Sequence, residues 1–180
     1  AAYIMGDADN RSAIRNCQNI APDRGSNLNV YVNRGYGGGI VAYARYTDIS
    51  DSKSTVTMRG IDGSVRLGGI AAYLNNSNID NCTATSTALR SDKLTYIGGI
   101  ASHVNAGSSV KNSTFNGKIT KSTTNFASGM VAAKVVEGAT IENCGVAGIF
   151  FGIAITDDNF SDYLIGETSI TPTGCYYLTE

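Results

Sequence analysis

Tryptophan is missing from this 180-residue chain, proline occurs twice, histidine once, and only 16% of the residues are charged. Each shortage closes off a class of protein. The charged share falls well below the roughly 25% of an average soluble domain, and both signs are spread along the chain to a net −1. No basic stripe is available to neutralise phosphates, so nucleic acid is not an expected partner. No apolar run approaches the roughly 18 residues that a membrane span needs. The chain starts at Ala1 with neither an initiator Met nor a basic-then-apolar leader, as a trimmed or processed secreted chain would. A lone histidine, His103, and the absence of any Cys-x-x-Cys spacing leave no converging ligand set for zinc, so neither metal nor cofactor is expected.

Glycine is plentiful at 21 residues, and 42% of the chain is hydrophobic, enough for a real core. With Ser, Thr and Asn filling the place of charge, the composition favours strands and turns over helices.

The chain repeats itself. Gly38-Gly39-Ile40-Val41-Ala42-Tyr43 returns as Gly68-Gly69-Ile70-Ala71-Ala72-Tyr73, as Gly98-Gly99-Ile100-Ala101-Ser102-His103, and as Ser128-Gly129-Met130-Val131-Ala132-Ala133, thirty residues apart each time. A second block runs through Ile14-Arg15-Asn16-Cys17, Ile49-Ser50-Asp51-Ser52, Ile79-Asp80-Asn81-Cys82, Val110-Lys111-Asn112-Ser113 and Ile141-Glu142-Asn143-Cys144, with a degenerate sixth copy at Thr173-Gly174-Cys175-Tyr176. Length changes fall in Gly, Asn and Ser-rich stretches such as "LNNSN" and "VNAGSS", which marks those stretches as corners and the blocks as strands. Segments such as "CTATSTAL" alternate with period two and are β-branched or small, which rules against helical repeats. About three short strands per thirty residues make one coil of a parallel β-solenoid. The expected fold is therefore an all-β, right-handed parallel β-helix (β-solenoid) of about six coils of roughly 30 residues, the hand following the parallel crossover preference. It is expected to form a single domain, with 1–35 as N-terminal coil and cap, 36–150 as regular repeats and 151–180 as C-terminal cap and last coil.

Columns can be read across the copies. Cys82, Ala84, Ser86 and Ala88 in one coil, Ser113, Phe115, Gly117 and Ile119 in the next, and Cys144, Val146, Gly148 and Phe150 in a third are expected to point inward. Between them Lys53, Thr55, Thr57, Thr83, Thr85, Thr87, Thr114, Asn116, Lys118 and Thr120 make a polar outer face. Asn16, Asp51, Asn81, Asn112 and Asn143 stand in one column where the chain must bend sharply, and Asn tolerates the left-handed conformation such a bend needs. The Gly pairs mark a second corner. Ser50, Asp80, Lys111 and Glu142 form an outward column that supports register.

Little here is catalytic. Cys17, Cys82, Cys144 and Cys175 share one inward column with Ser52 and Ser113, so cysteine behaves as a small core residue. Cys82 and Cys144 lie two coils, about 9.6 Å, apart, beyond the roughly 7 Å a disulfide spans. Only Cys144 and Cys175 are adjacent, and free thiols are expected. His103 takes an outward place with no nucleophile beside it and reads as a surface residue. The Asp residues at 48, 51, 62, 80 and 92 scatter over different columns, against a paired-carboxylate site. "GDADN" and "DDNFSD" read as solvated cap loops that lack EF-hand spacing. No catalytic residue is assigned.

The surface feature with binding character is aromatic. Tyr36, Arg66, Tyr96 and Phe126 are expected to form one outward ladder and Tyr43, Tyr73 and His103 a second beside it, either as cross-strand support or as a face for a glycan or partner protein.

The unit "GGIAAYLNNSNIDNCTATS" resembles the GLUG motif, a Gly-Gly-aliphatic repeat ending in Asn-Cys-x-Ala-Thr-Gly that occurs in tandem in bacterial cell-surface and adhesin-like proteins and in some bacterial immunoglobulin A proteases. The closing "GCYYL" also looks like the end of such arrays, and the resemblance covers about residues 36 to 150 plus that tail. Ala42, Ala72, Ser102 and Ala132 stand where the family often has Gly. No catalytic residue attaches to the motif. The resemblance implies a non-enzymatic, extracellular or cell-surface repeat domain acting as a stalk or adhesive module, with its outer aromatic and Thr/Asn faces as candidate contacts for a glycan or a host or surface protein. Two alternatives are a carbohydrate-active enzyme on the same fold and an ice-binding solenoid, the latter weakened by Lys53, Asn116 and Lys118 interrupting the Thr lattice.

Overall fold

One turn of the chain shows how the rest is built. Val65–Gly68 runs along a first face, Ala71–Asn75 along a second, Asn78–Asp80 along a third and Thr83–Ser91 along a fourth. Thr95 then lands directly on Val65. The computed structural model describes residues 3–20, 29–91, 95–121 and 127–179, and they build a parallel β-solenoid of about five turns. The second face continues from Tyr3–Met5 to Ile165–Thr168, and the third from Ser12–Arg15 to Thr140–Glu142. Among the described residues no helix is long and apolar enough to cross a membrane.

Each turn carries four strands rather than the expected three, because Thr83–Ser91 and Thr95–Gly98 are separate strands, and the length-variable corner between the second and third faces is a second left-handed one. Tyr46 and Asn76 hold φ of 46° and 48° there, and Gly107 and Gly138 take 72° and 80°. The expected corner between the third and fourth faces is present in every copy: Asn16, Asp51, Asn81, Asn112 and Asn143 have φ from 48° to 54°, and Gly174 fills the sixth place at 62°. The sixth copy adds only the Glu142–Thr173 bridge and the two-residue strand Tyr176–Tyr177, so the count of turns is nearer five than six.

The residue after each left-handed corner solves one recurring problem, the carbonyl left behind by the bend. Cys17, Ser52, Cys82, Ser113, Cys144 and Cys175 each donate their S–H or O–H to the carbonyl two residues back. Thr47 and Ser77 do the same at the other corner. Cysteine and serine are interchangeable because the site asks for a small side chain with one donor.

The Gly-Gly corner between the first and second faces has a different cause. No left-handed φ occurs at Gly68 or Gly98. A Cβ at either would collide with a backbone carbonyl oxygen, Ala71 O for the first and Ala101 O for the second. The glycine is there for close approach of chain to chain.

Inside, like sits on like. Ile14, Ile49, Ile79, Val110 and Ile141 stack in register along the third face. Leu67, Ile70, Leu74, Ile79 and Leu89 from a single turn are each fully buried, and each such side chain contributes about 1.5–3 kcal/mol on leaving water. A lone turn has no neighbours to bury them against, so the turns stabilise one another.

Two register details depart from the sequence reading. Tyr96 pairs with Ala127 and Gly98 with Gly129, so the fourth first-block copy is thirty-one residues on, and Tyr96 does not align with Phe126. Phe126 itself lies outside the described residues. A bulge between Ser86 and Leu89 also shifts the fourth face, so that Leu89 is buried and Ala88 is only half-buried where Ala88 was expected inward.

At the C-terminal end Ile153–Ala154 folds back antiparallel on Gly145–Phe150, a 3-10 turn follows at Phe160–Tyr163, and Ile165–Thr168 resumes the second face. The "GDADN" loop closes on itself, Asp7 Oδ1 accepting from the amides of Asp9 and Asn10.

Candidate functional site

The Gly-Gly corner turns the chain sharply enough to bring outward residues of the first and second faces together. Tyr36, Arg66 and Tyr96 are neighbours in register on the first face. Tyr43, Tyr73 and His103 are neighbours on the second. Both ladders are as expected, apart from Phe126.

Along the second face the rings stack. Tyr43 and Tyr73 have centroids 5.2 Å apart and planes 8° from parallel, and Tyr73 and His103 follow at 5.5 Å and 18°. First-face rings meet these edge-on, Tyr36 at 5.4 Å from Tyr73 and Tyr96 at 4.4 Å from His103. Arg66 sits in the middle, its guanidinium carbon 5.3, 5.9 and 5.7 Å from the ring centroids of Tyr36, Tyr73 and Tyr96, within the range for cation–π attraction.

His103 is not the surface residue the sequence implies. It is 7% exposed. Its pKa falls to about 3, because burial penalises the charged ring and the Arg66 and Lys134 cations add repulsion. The neutral ring has an assignable tautomer. Ser102 Oγ donates to Tyr96 O at 3.0 Å, so it receives its hydrogen bond from His103 Nδ1 at 3.3 Å, which leaves Nε2 to accept from Arg66 Nε at 3.4 Å. No carboxylate pairs with Arg66 among the described residues. Its Nε is bonded to His103, and the rings of Tyr36, Tyr73 and Tyr96 surround the guanidinium.

Three members of the second ladder escaped the sequence reading. Tyr3 pairs with Tyr43 and stacks on it at 5.9 Å. Lys134 follows His103, then Glu167 follows Lys134, and these two form an ion pair. The signal for Tyr3 was present, since Ala2-Tyr3 repeats Ala42-Tyr43 and Ala72-Tyr73, but a forty-residue spacing hid it. Polar tips trim the ladder: Asn75 Nδ2 donates to Tyr43 Oη at 3.4 Å, and Tyr73 Oη donates to Asn105 Oδ1 at 3.5 Å.

Several charged groups elsewhere are paired across neighbouring turns. Asp48 accepts from Arg11 at 2.6 Å and from Asn78 at 2.8 Å, and the Arg11 hydrogen bond holds its carboxyl below the ordinary range. Lys111 pairs with Glu142 at 2.8 Å as the alternating column predicts. Asn81 and Asn112 donate across the corner to Asp51 and Asp80, both at 2.7 Å. Among the described residues no three His, Cys, Asp or Glu side chains converge on a metal-sized point. On the fourth face Lys53, Asn116 and Lys118 are exposed among the threonines, and the side chain of Thr87 lies outside the described set. A cleft of about 550 Å³ opens at the N-terminal end of the core, lined by Ile4, Ile14, Cys17, Asn19, Gly39 and Ile40 among others, away from the aromatic corner.

The GLUG motif model matches the chain twice, over residues 63–88 and 94–120. These segments are the second and third copies of the Gly-Gly unit, and they contribute Arg66, Tyr73, Tyr96 and His103 to the corner. Neither the curated proteins nor the solved structures give a match.

Proposed function

We propose that this chain, a GLUG-motif repeat protein, is a non-catalytic module of a bacterial cell-surface or secreted protein, and that it binds a glycan at the aromatic corner around Arg66. One observation carries the reading: a guanidinium without a carboxylate partner among the described residues stands among three tyrosine rings within 6 Å. Hydroxyl-rich sugars use both parts of such a surface, ring C–H groups against aromatic area and hydroxyl or carboxylate oxygens against guanidinium and phenol donors. The site is also preorganised, because the ladders fix each side chain before any ligand arrives. Tandem occurrence of the motif in bacterial surface and adhesin-like proteins supports the setting. The commitment of Asp48, Glu142 and Glu167 to ion pairs supports the non-catalytic part.

A bare spacer is the second reading. It is favoured by the Tyr43–Tyr73 stack, in which each ring covers a face of the other and offers a ligand only an edge and a hydroxyl.

A glycan array with the wild type and with Tyr36→Ala, Tyr96→Ala and Arg66→Ala decides between them. Binding to a defined set of saccharides that falls at least tenfold, about 1.4 kcal/mol, in the variants supports the site. No binding to any saccharide moves the protein to the spacer reading. Release of reducing or unsaturated sugar from a polysaccharide overturns the non-catalytic assignment.

A further inference from the structure

The inward cysteine column contains one adjacent pair. Gly145 pairs with Tyr176, Glu142 bridges to Thr173, and the Tyr176 amide donates to Cys144 O at 3.0 Å. Cys144 and Cys175 are therefore direct neighbours across two parallel strands, about 4.8 Å apart at Cα, inside the window of roughly 4.4–6.8 Å that a disulfide occupies. Both side chains turn the same way, each donating to the carbonyl two residues back, at 3.4 Å to Glu142 O and 3.7 Å to Thr173 O. Cys17 and Cys82 have no such neighbour, since Ser52 and Ser113 fill the turns beside them.

The two thiols are unequal. Cys144 is fully buried and Cys175 is half-buried. Contact between the two sulfurs draws the Cys175 thiol down to about 7, and the same contact with burial pushes Cys144 far above its ordinary range. An accessible thiolate beside a protected thiol is the division of labour that disulfide exchange uses.

We propose that Cys144 and Cys175 form a reversible thiol–disulfide site for low-molecular-weight disulfides, with Cys175 as the attacking thiol and Cys144 as the resolving one. The Cys175 thiolate attacks one sulfur of the small disulfide RSSR. An S–S bond forms to the protein, and the first RS⁻ leaves and takes up a proton. Cys144 then loses its proton to solvent, and its sulfur attacks the Cys175 sulfur and expels the second RS⁻, which is protonated in turn. Two protein thiols are oxidised by two electrons, and one RSSR is reduced to two RSH. The product fastens the last turn, whose strand Tyr176–Tyr177 is otherwise held by two residue pairs, to the body of the solenoid. The inference is independent of the glycan reading.

The test uses the Cys17→Ser background, because Cys17 is exposed and would form a mixed disulfide of its own. Serine variants suit this column, which already holds Ser52 and Ser113. With oxidised glutathione as the probe, intact mass is expected to fall by two hydrogens, and a non-reduced digest is expected to link the Cys144 and Cys175 peptides. Cys144→Ser is expected to stop at one added glutathione, on Cys175, and Cys175→Ser to take up none. Thermal melting of the oxidised form is expected to rise by several degrees over the reduced form, as for a loop closed by a native cross-link. A wild-type pair that stops at a stable mixed disulfide, or a reaction that proceeds equally in Cys175→Ser, overturns the proposal.

Discussion

Arg66 and His103 belong to different faces and successive turns, yet Arg66 Nε donates to His103 Nε2 at 3.4 Å. That bond requires an unprotonated ring, and the requirement reaches from the aromatic corner into the stability of the fold.

His103 binds a proton near pH 6.5 when the chain is unfolded and only near 3 when folded. Between those values the unfolded state holds more protons, so stability rises with pH. The contribution is fully present above about 6.5 and is lost as pH falls, by at most about 1.4 kcal/mol per pH unit. Urea unfolding of wild type and His103→Gln at pH 7 and pH 4 checks this. The wild type is expected to lose more stability than the variant, and equal losses would refute the assignment of the pH effect to His103.

Gly98→Ala is expected to destabilise by about 3 kcal/mol, because its Cβ meets the rigid Ala101 carbonyl. Gly35→Ala is the contrast. Nothing lies within 4 Å of its Cβ position, but φ is +88°, so the cost is the backbone term of about 1–2 kcal/mol. Denaturant midpoints of the two variants separate crowding from conformation.

Asn81→Ala is expected to cost about 1–2 kcal/mol and Asn81→Gly much less, since the column needs φ near 50° and glycine already serves there at Gly174. Equal costs for the two would place the value of Asn81 in its hydrogen bond to Asp51 rather than in its backbone.

Ser113→Ala leaves the buried Cys82 amide without its acceptor, now 3.0 Å away, and is expected to cost about 1–3 kcal/mol. Ser113→Cys keeps a donor and a weak acceptor in a column that already holds cysteine and is expected to cost less than half as much. Thermal unfolding of the pair measures the difference.

Much of this molecule can be read from its letters, because a solenoid converts sequence spacing directly into spatial adjacency. The Asn column, the ring ladders, the Lys111–Glu142 contact and the Cys144–Cys175 neighbourhood all follow once the copies are aligned. What escaped was chemistry that changes letters while keeping a role. The corner at Tyr46, Asn76, Gly107 and Gly138 showed as a corner through its length changes, but with Tyr, Asn and Gly at the bend its shared left-handed conformation did not, and only the Thr, Ser, Ser and Ala that follow hint at it. Ser128-Gly129 imitates Gly98-Gly99 one place out of step, and only backbone pairing shows that Gly98 sits on Gly129. The burial of His103 was beyond the repeat itself, since it depends on side chains arriving from another face.

The hydroxyls of the two left-handed corners have a direction. Cys17 donates its amide to Ser52, Cys82 to Ser113, Thr47 to Ser77 and Ser77 to Ser108, and in every case the acceptor lies in the turn that comes later in the chain. A turn freshly emerged from the ribosome would thus hold buried amides whose acceptors have not yet been synthesised, and each new turn completes the one before it. Truncation between turns would strand these amides in the last turn that remains, whereas loss of turns from the N-terminal end would strand none of them.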